Sequence, residues 1–478
     1  MPLILPGNVG SATAATGYNV ANSCRFNSGD SAYMNVTSVS TVTNRLKFTI
    51  SLWVKRSTLG AKSMIGTVGG DDTNFGAIWF DSSDRLNCTE GSGGGELNFI
   101  TNRVFRDVSA WYNIILAIDT TQGTESNRVK IYVNGTQETS FSTSTYPSQN
   151  SNMHLNRNGK VQYLGRHTDS SNDYYFDGYM AEVVWVDGQQ LDQTSFGEFD
   201  SDSPTIWKPK DVSGLTFGNN GFYLDFEDSG DLGDDESGNG NDWGENNLAA
   251  TDQSTDTCTN NFTTINSLDN YYAGSALTEG NLKQTTTNSA YSWNTTTFGL
   301  SSGRWYCEVK INDPQNTDSI VGIANAPTTS SSNRLGEQSG NVYDWGYRGD
   351  GQIGNANSVV SYTISAMSNG NIIGIYLDLD NNKLYFSING SLQNSGTGIS
   401  ITAPSSTTTG NYFFAGQDRQ SGDDTILEWN FGSPYYSISS GNTDDNGYGN
   451  FEYSPNITGD GSAKSFYSVN TKNLAEFG

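Results

Sequence analysis

Carboxylates and aromatic rings are the abundant chemical groups of this 478-residue chain, while imidazoles and thiols are scarce: 51 Asp and Glu stand beside two His and four Cys. Cleaving a glycosidic bond needs two carboxylates facing one another across a sugar. The nearest local pairs are Glu182 with Asp187 and Glu198 with Asp200, whose spacing fits an exposed strand edge followed by a turn. His154 and His167 lie in polar loops, and no Gly-x-Ser-x-Gly elbow accompanies them. Cys24, Cys88, Cys258 and Cys307 are too scattered for a metal or redox motif, and Cys307, inside strand-like WYCEV, reads as a small core residue. With two histidines and no cysteine cluster, a zinc site is not expected. The expectation is a protein that is not an enzyme.

Binding is the chemistry these residue types support. Sugar recognition by β modules combines aromatic faces with Asp, Asn and Gly at loop tips. The loops VGGDDTNFG (68–76) and GRHTDSSNDYYFDG (165–178) have that composition. In VYDWGYRGDG (342–351), Trp345 and Tyr347 either present a stacking surface for a ligand or pack in a core. Residues 221–243 alternate apolar residues with a dense run of Asp and Glu. Such oxygens on flexible turns suit a hard cation, although the twelve-residue loop ending in Glu is missing. The plainer reading is a solvated acidic loop.

A formal net charge of −26 repels phosphate backbones and anionic lipid, so neither nucleic acid nor a membrane surface is an expected partner. No apolar run is long enough to insert in a bilayer. The opening MPLILPGNVGSATAATGYNV has neither a basic n-region nor an apolar stretch fit for export. Cytoplasmic assembly followed by release on lysis is the expectation.

Positioning falls to β-strands. One strand–turn–strand phrase occurs twice, at Trp111–Gly135 and at Asn371–Gly390. In the first, Tyr112, Ile114, Leu116 and Ile118 alternate, then Val129, Ile131 and Val133. In the second, Ile373, Ile375, Leu377 and Leu379 alternate, then Leu384, Phe386 and Ile388. Period-two alternation buries one face, and the closing Asn-Gly supplies the positive φ of a tight hairpin. Phe48, Ile50, Leu52 and Val54 form a further inward row, and in MAEVVWV the same period sets Ala181, Val183 and Trp185 together. Helix periodicity is nearly absent. The fold class expected is all-β, with two β-sandwich domains.

FTISLWVKR, WYNIILAIDTT, RVKIYVNG and FDGYMAEVVWVDG, in that order, resemble the laminin-G-like, concanavalin A-like jelly-roll family. That family includes carbohydrate- and protein-binding modules, often with calcium, and glucanases. The glucanase signature Glu-x-Asp-x-x-Glu is missing here. The resemblance implies calcium in the loop before Phe-Asp-Gly, which makes Asp169 and Asp173 candidate ligands with Asp72 as a third. SGRWYCEVKI, SIVGIANA, VYDWGYRGDGQIG, LDLDNNKLYFSING and YFFAGQDRQSGDDTILEWNFG resemble a SPRY domain, which implies a bent sandwich binding partners through its loops.

The expected organisation is an N-terminal arm at 1–22, a jelly roll at 23–210, and an acidic connector at 211–284 whose end is a linker or a strap. A SPRY-like domain at 285–436 and a tail at 437–478 follow. The pairing of modules, the connector and the ending NTKNLAEFG resemble virion fibre-type proteins of marine bacteriophages. The resemblance implies a homo-oligomeric virion component, fibre-like or capsid-attached. It would bind host-surface glycan. Leu3, Ile4 and Leu5 between two prolines, followed by small residues, make the arm the expected anchor to other virion proteins or sister subunits. Two other readings stand beside it: a structural decoration or connector without host ligand, and a polysaccharide depolymerase.

Overall fold

The structure, a computed structural model, describes residues 17–39, 41–67, 75–91, 96–168, 173–269, 275–286, 291–314, 317–328, 332–418 and 425–478. They divide into two compact units, residues 17–259 and Asn260–Gly478. Both are β-sandwiches, and among the described residues the single α-helix is Thr471–Phe477. No described helix is long and apolar enough to cross a membrane.

In the first unit, one sheet runs in the order Thr136–Gln137, Val129–Val133, Trp111–Asp119, Lys47–Arg56, Gly178–Asp187, Ser23–Phe26 and Gln253–Ser254, with Phe222–Leu224 added to Gly178–Asp187. The opposing sheet runs Phe141–Thr145, Leu97–Val104, Arg85–Glu90, Gly76–Phe80, Lys62–Thr67, Val161–Leu164, Tyr33–Thr37 and Gly244–Asn246. The pairings are antiparallel, so each strand alternates a residue of the inter-sheet core with one of the other face. On the first sheet that other face is covered too, Ile115, Tyr132, Val184 and Val186 packing with Phe196 and Tyr223. Phe48, Ile50, Leu52 and Val54 meet Ile114, Leu116 and Ile118 in the core, as the alternation predicts. Asn134 and Gly135 adopt φ of 47° and 72° and close the tight hairpin. A Cβ on Gly135 would lie 2.1 Å from the Trp207 ring, so the turn needs glycine for space as well as for φ.

One expected face is different. The register between Gly178–Asp187 and Lys47–Arg56 slips between Ala181 and Val184, and Glu182 sits at a φ of 49°. This bulge sends Met180, Val183 and Trp185 into the core, while Ala181 turns to the opposite face against Trp53 and Tyr179. An extra residue breaks strict alternation, and nothing in MAEVVWV announces it.

The stretch expected as a connector is divided between the two sandwiches. Phe222, Leu224, Phe226, Leu232 and Trp243 enter the first core, which corrects the picture of a merely solvated acidic loop. Asp235 is buried there and accepts from the backbone N–H groups of Tyr223 and Ser237, each at 2.9 Å. Beyond it, Gln253–Ser254 pairs with Ser23–Phe26, so the segment to Thr259 is a strap along this sandwich. Residues 17–22 of the expected arm also belong here, with Val20 buried beside Trp53 and Trp111. Residues 1–16 lie outside the described residues.

In the second unit, one sheet runs Ser275–Thr278, Lys283–Thr286, Ile426–Asn430, Arg304–Asn312, Ile372–Asp378, Lys383–Ile388 and Ser391–Leu392. The other runs Ser292–Thr295, Phe413–Asp418, Ile320–Ala324, Trp345–Arg348, Ile353–Asn355 and Ser358–Val360. Ile373, Ile375, Leu377, Leu384, Phe386 and Cys307 are buried between them. The expected tail is part of this unit. Buried Glu308 accepts from the N–H groups of Glu452 and Tyr453 at 3.0 and 2.7 Å, and Tyr467–Ser468 pairs with Arg304–Asn312.

Candidate functional site

The loop GRHTDSSNDYYFDG forms a short hairpin, Arg166–Thr168 against Asp173–Tyr175, in which Arg166 opposes Tyr175, His167 opposes Tyr174 and Thr168 opposes Asp173. It crosses strand Lys62–Thr67 at Gly66, where a Cβ would lie 2.8 Å from the Arg166 carbonyl and 3.0 Å from the His167 Cα. Only a glycine in that strand lets the hairpin settle so closely. Backbone bonds from Gly165 to Met64 (2.7 Å) and from Phe176 to Gly165 (2.8 Å) fix its base.

Alternation along the hairpin sorts its side chains into two groups, each meeting aromatic rings from the outer face of the second sheet. Tyr33 and Tyr163 point outward because Met34 and Leu164, their neighbours, point into the core. The Arg166 guanidinium lies 4.8 Å from the Tyr33 ring centre, 5.0 Å from that of Tyr163 and 5.6 Å from that of Tyr175. Such placements are cation–π contacts. Arg166 Nη2 donates to Asp173 Oδ1 at 3.0 Å. Partial burial works against the guanidinium charge, but Asp173 and the phenolic groups outweigh it and its pKa is raised.

On the other side, His167 stacks on Tyr174 at 5.4 Å with 15° between the planes. Trp79 approaches both, at 6.3 Å and 6.0 Å, and Phe75 lies 5.6 Å from His167. Trp79 faces outward between the core residues Ile78 and Phe80. Tyr33, Phe75, Trp79, Tyr163, Tyr174 and Tyr175 are all half-buried, so part of each side chain remains accessible. Asn35 follows Tyr33 on the outward face and accepts from Asn246 Nδ2 at 2.7 Å. Rings offer apolar faces while phenol, amide, guanidinium and carboxylate groups at their margins offer directed hydrogen bonds.

Asp173 is the one calcium candidate within the described residues; Asp72 and Asp169 lie outside them. Its carboxylate faces a guanidinium at 3.0 Å, and a divalent cation placed there would be repelled by Arg166. As placed, Asp173 is a guanidinium partner. Among the described residues no cluster of three or more His, Cys, Asp or Glu could hold a metal.

Trp345 and Tyr347 do not present a stacking surface. They share the inward face of Trp345–Arg348, with relative exposures of 8% and 0%. Tyr347 lies 5.4 Å from Phe386 and donates its hydroxyl to the Ser365 carbonyl at 2.7 Å. Gly346, the residue between them, lies against the Leu335 carbonyl, where a Cβ would come within 2.5 Å. Core packing decides both residues.

One carboxylate pair is placed differently from an exposed strand edge, whereas Glu198, exposed on the short strand Gly197–Phe199 before a turn, keeps that placement. Glu182 and Asp187 are buried. Asp187 accepts from Thr43 N–H at 2.5 Å, Asn44 N–H at 3.1 Å, Asn156 Nδ2 at 2.7 Å and Asn220 N–H at 3.1 Å, which makes it a brace for loops. Both Glu182 oxygens lie 3.0 Å from the Tyr223 hydroxyl, which lies 2.8 Å from that of Tyr18. Burial pushes the Glu182 pKa up to about 8. Glu198 and Asp200 share Lys208, at 3.8 and 3.1 Å.

The Arg166 cluster was not visible as a site in the sequence, because Tyr33, Tyr163 and Tyr175 come from three separate segments. The available signal was period two itself: YMNV sets Tyr33 opposite Met34 and Val36, and VQYL sets Tyr163 opposite Leu164.

Two family models agree with this architecture. Residues 28–193 match the family model of the concanavalin A-like lectin/glucanases superfamily, of laminin G type, and residues 304–413 match that of the SPRY domain. No curated protein matches the chain. Among solved structures, the SPRY domain of human HERC1 is 15% identical, covering 32% of this chain and 91% of that one at a TM-score of 0.26. The heptameric SAP-like pentraxin of Limulus polyphemus is 11% identical, covering 37% and 80% at 0.27. Domains LG4-5 of the mouse laminin alpha1 chain are 10% identical, covering 86% and 82% at 0.29. The chain is thus an all-β protein of two sandwiches, with a concanavalin A-like domain first and a SPRY domain second.

Proposed function

We propose that this protein is a non-enzymatic binding protein of a bacteriophage virion, fibre-like or capsid-attached, that recognises host-surface glycan with its concanavalin A-like domain. One observation carries the glycan reading: the hairpin Arg166–Thr168/Asp173–Tyr175 sets two groups of half-buried rings, one around Arg166 and one around His167, on the outer face of a sheet. Apolar sugar faces lie on such rings, and hydroxyls pair with the polar groups at their margins. The virion role is supported by the order of modules and by the segments that resemble virion fibre-type proteins. The non-enzymatic reading is supported by the engagement of the local carboxylate pairs in loop bracing, tyrosine contacts and lysine pairs.

A glycan array probed with the full chain tests the binding reading. Signal on a restricted set of glycans, lost in Tyr175→Ala and without release of reducing ends, supports it. A blank array, or sugar release, overturns it. Absence of the protein from purified particles would overturn the virion role.

A further inference from the structure

A cavity at one side of the first sandwich takes no part in the aromatic outer face. There the edge formed by Val129–Val133 and Thr136–Gln137 stands opposite the edge formed by Leu97–Val104 and Phe141–Thr145. The chain crosses between the edges through Glu138. This side chain is buried and fully engaged, accepting from Ser140 N–H at 3.0 Å and from Arg103 Nε at 2.9 Å. Its own N–H donates to the Ile131 carbonyl at 2.8 Å. The crossing is therefore tied to both edges, and beneath it remains a cavity of about 250 Å³.

The chemistry of the lining is layered. The floor is apolar, with Phe99, Val129 and Ile131 buried. Phe141 and Tyr146 meet Phe99 edge-on at 5.1 and 4.9 Å and form ring walls. A bulge between Phe141 and Thr143 breaks the alternation, which brings Ser144 to the same cavity as Phe141. The rim consists of the exposed neutral side chains of Ser126, Gln137, Thr139 and Ser144, none of which hydrogen-bonds to another described residue. No Lys or Arg lines the cavity, and its single charge, Glu138, is already paired. An anionic ligand has no partner there.

The volume is large against water, at roughly 30 Å³ per molecule, and small against the roughly 300–1,000 Å³ of pockets for drug-sized ligands. A single ring with apolar faces and neutral hydroxyls around its perimeter matches the floor, walls and rim together. We propose that this cavity is a second binding site, for one neutral pyranose residue, separate from the aromatic outer face and independent of the reading given to that face.

Saturation-transfer NMR on the full chain, with the methyl glycosides of glucose, galactose and mannose offered separately, tests the assignment. The expected result is transfer to the ring protons of at least one glycoside. Tyr175→Ala, which removes the contribution of the outer face, retains the transfer, and Ser144→Trp added to it, which blocks the mouth from an exposed position, abolishes the transfer at an unchanged melting temperature. Thr139→Trp supplies the same block from another part of the rim should the first variant fail to fold. No transfer to any glycoside, or transfer that survives a folded blocking variant in the Tyr175→Ala background, overturns the proposal. Loss of transfer in Tyr175→Ala with retention in Ser144→Trp assigns the sugar to the outer face and also overturns it. A glycan-array signal from the same protein stands or falls separately from these outcomes.

Discussion

Lys55 and Asp256 form a buried ion pair, with Nζ 2.6 Å from Oδ2 and side-chain exposures of 1% and 2%. The pair joins the central strand Lys47–Arg56 to the strap 253–259, and Trp111 Nε1 donates to the other Asp256 oxygen at 3.1 Å. Burial lowers the Lys55 pKa, and Asp256 opposes that shift. Removing one partner leaves a buried charge without its partner, so Asp256→Ala should destabilise the first sandwich by about 3–5 kcal/mol. Urea unfolding of Asp256→Ala checks this. The double variant Lys55→Met/Asp256→Leu should recover most of the loss; equal losses in both would refute the pairing.

Glu182 makes stability depend on pH in a direction opposite to ordinary acid denaturation. Burial raises its pKa from 4.5 to about 8, against hydrogen bonds from Tyr223 and Tyr18, with Asp225 and Glu227 adding to the rise. A folded-state pKa above the unfolded one stabilises fully below pH 4.5, and that contribution is lost as pH rises to about 8. In Glu182→Gln the loss is removed. Urea melts from pH 5 to 9 should show the stability of the variant, relative to the unmodified protein, climbing with pH. A constant difference would mean that Glu182 titrates normally.

On the outer face, Tyr175→Ala and Trp79→Ala should each weaken glycan binding by ~2 kcal/mol, roughly thirtyfold. Both side chains are half-buried, so the melting temperature should fall only slightly. Titration calorimetry with a glycan identified on an array measures the first effect and a thermal melt the second. Unchanged affinity in both variants would remove this face from the binding site.

Because Asp173 is paired to Arg166, chelation of calcium should leave the melting temperature unchanged. A fall of several degrees on adding EGTA, reversed by calcium, would restore the calcium reading for this loop.

Tyr347→Phe deletes the hydroxyl that donates to the Ser365 carbonyl and leaves the ring in place. The expected cost is about 1 kcal/mol in the second sandwich, with glycan affinity unaffected. Loss of affinity at unchanged stability would return Tyr347 to the ligand-binding residues.

Period-two patterning and turn chemistry settle a large part of this protein without any tertiary information. Leu116 and Ile375 are inward because each sits in a run whose alternate residues are apolar, and a strand has only two faces. Asn134-Gly135 and Asn389-Gly390 turn where they stand because both members of each pair adopt positive φ. Those signals are local, and they carry the all-β class, the two sandwiches and both central hairpins.

What the sequence leaves open is wherever one residue's role depends on a distant one. The acidic run 221–243 reads as solvated, yet Phe222 and Trp243 fill the first core, because the strands up to Asp187 leave part of that core uncovered. Glu182 reads as one member of an alternating strand until a bulge buries it against Tyr223. Asp173 is a candidate calcium ligand only through the family resemblance; the hairpin register and the packing of strands Tyr33–Thr37 and Val161–Leu164 set it against Arg166, itself surrounded by tyrosines. Strand order and register are long-range choices, made by the burial of whole faces rather than by any one segment. They alone decide which side chains meet on the outer face and in the side cavity.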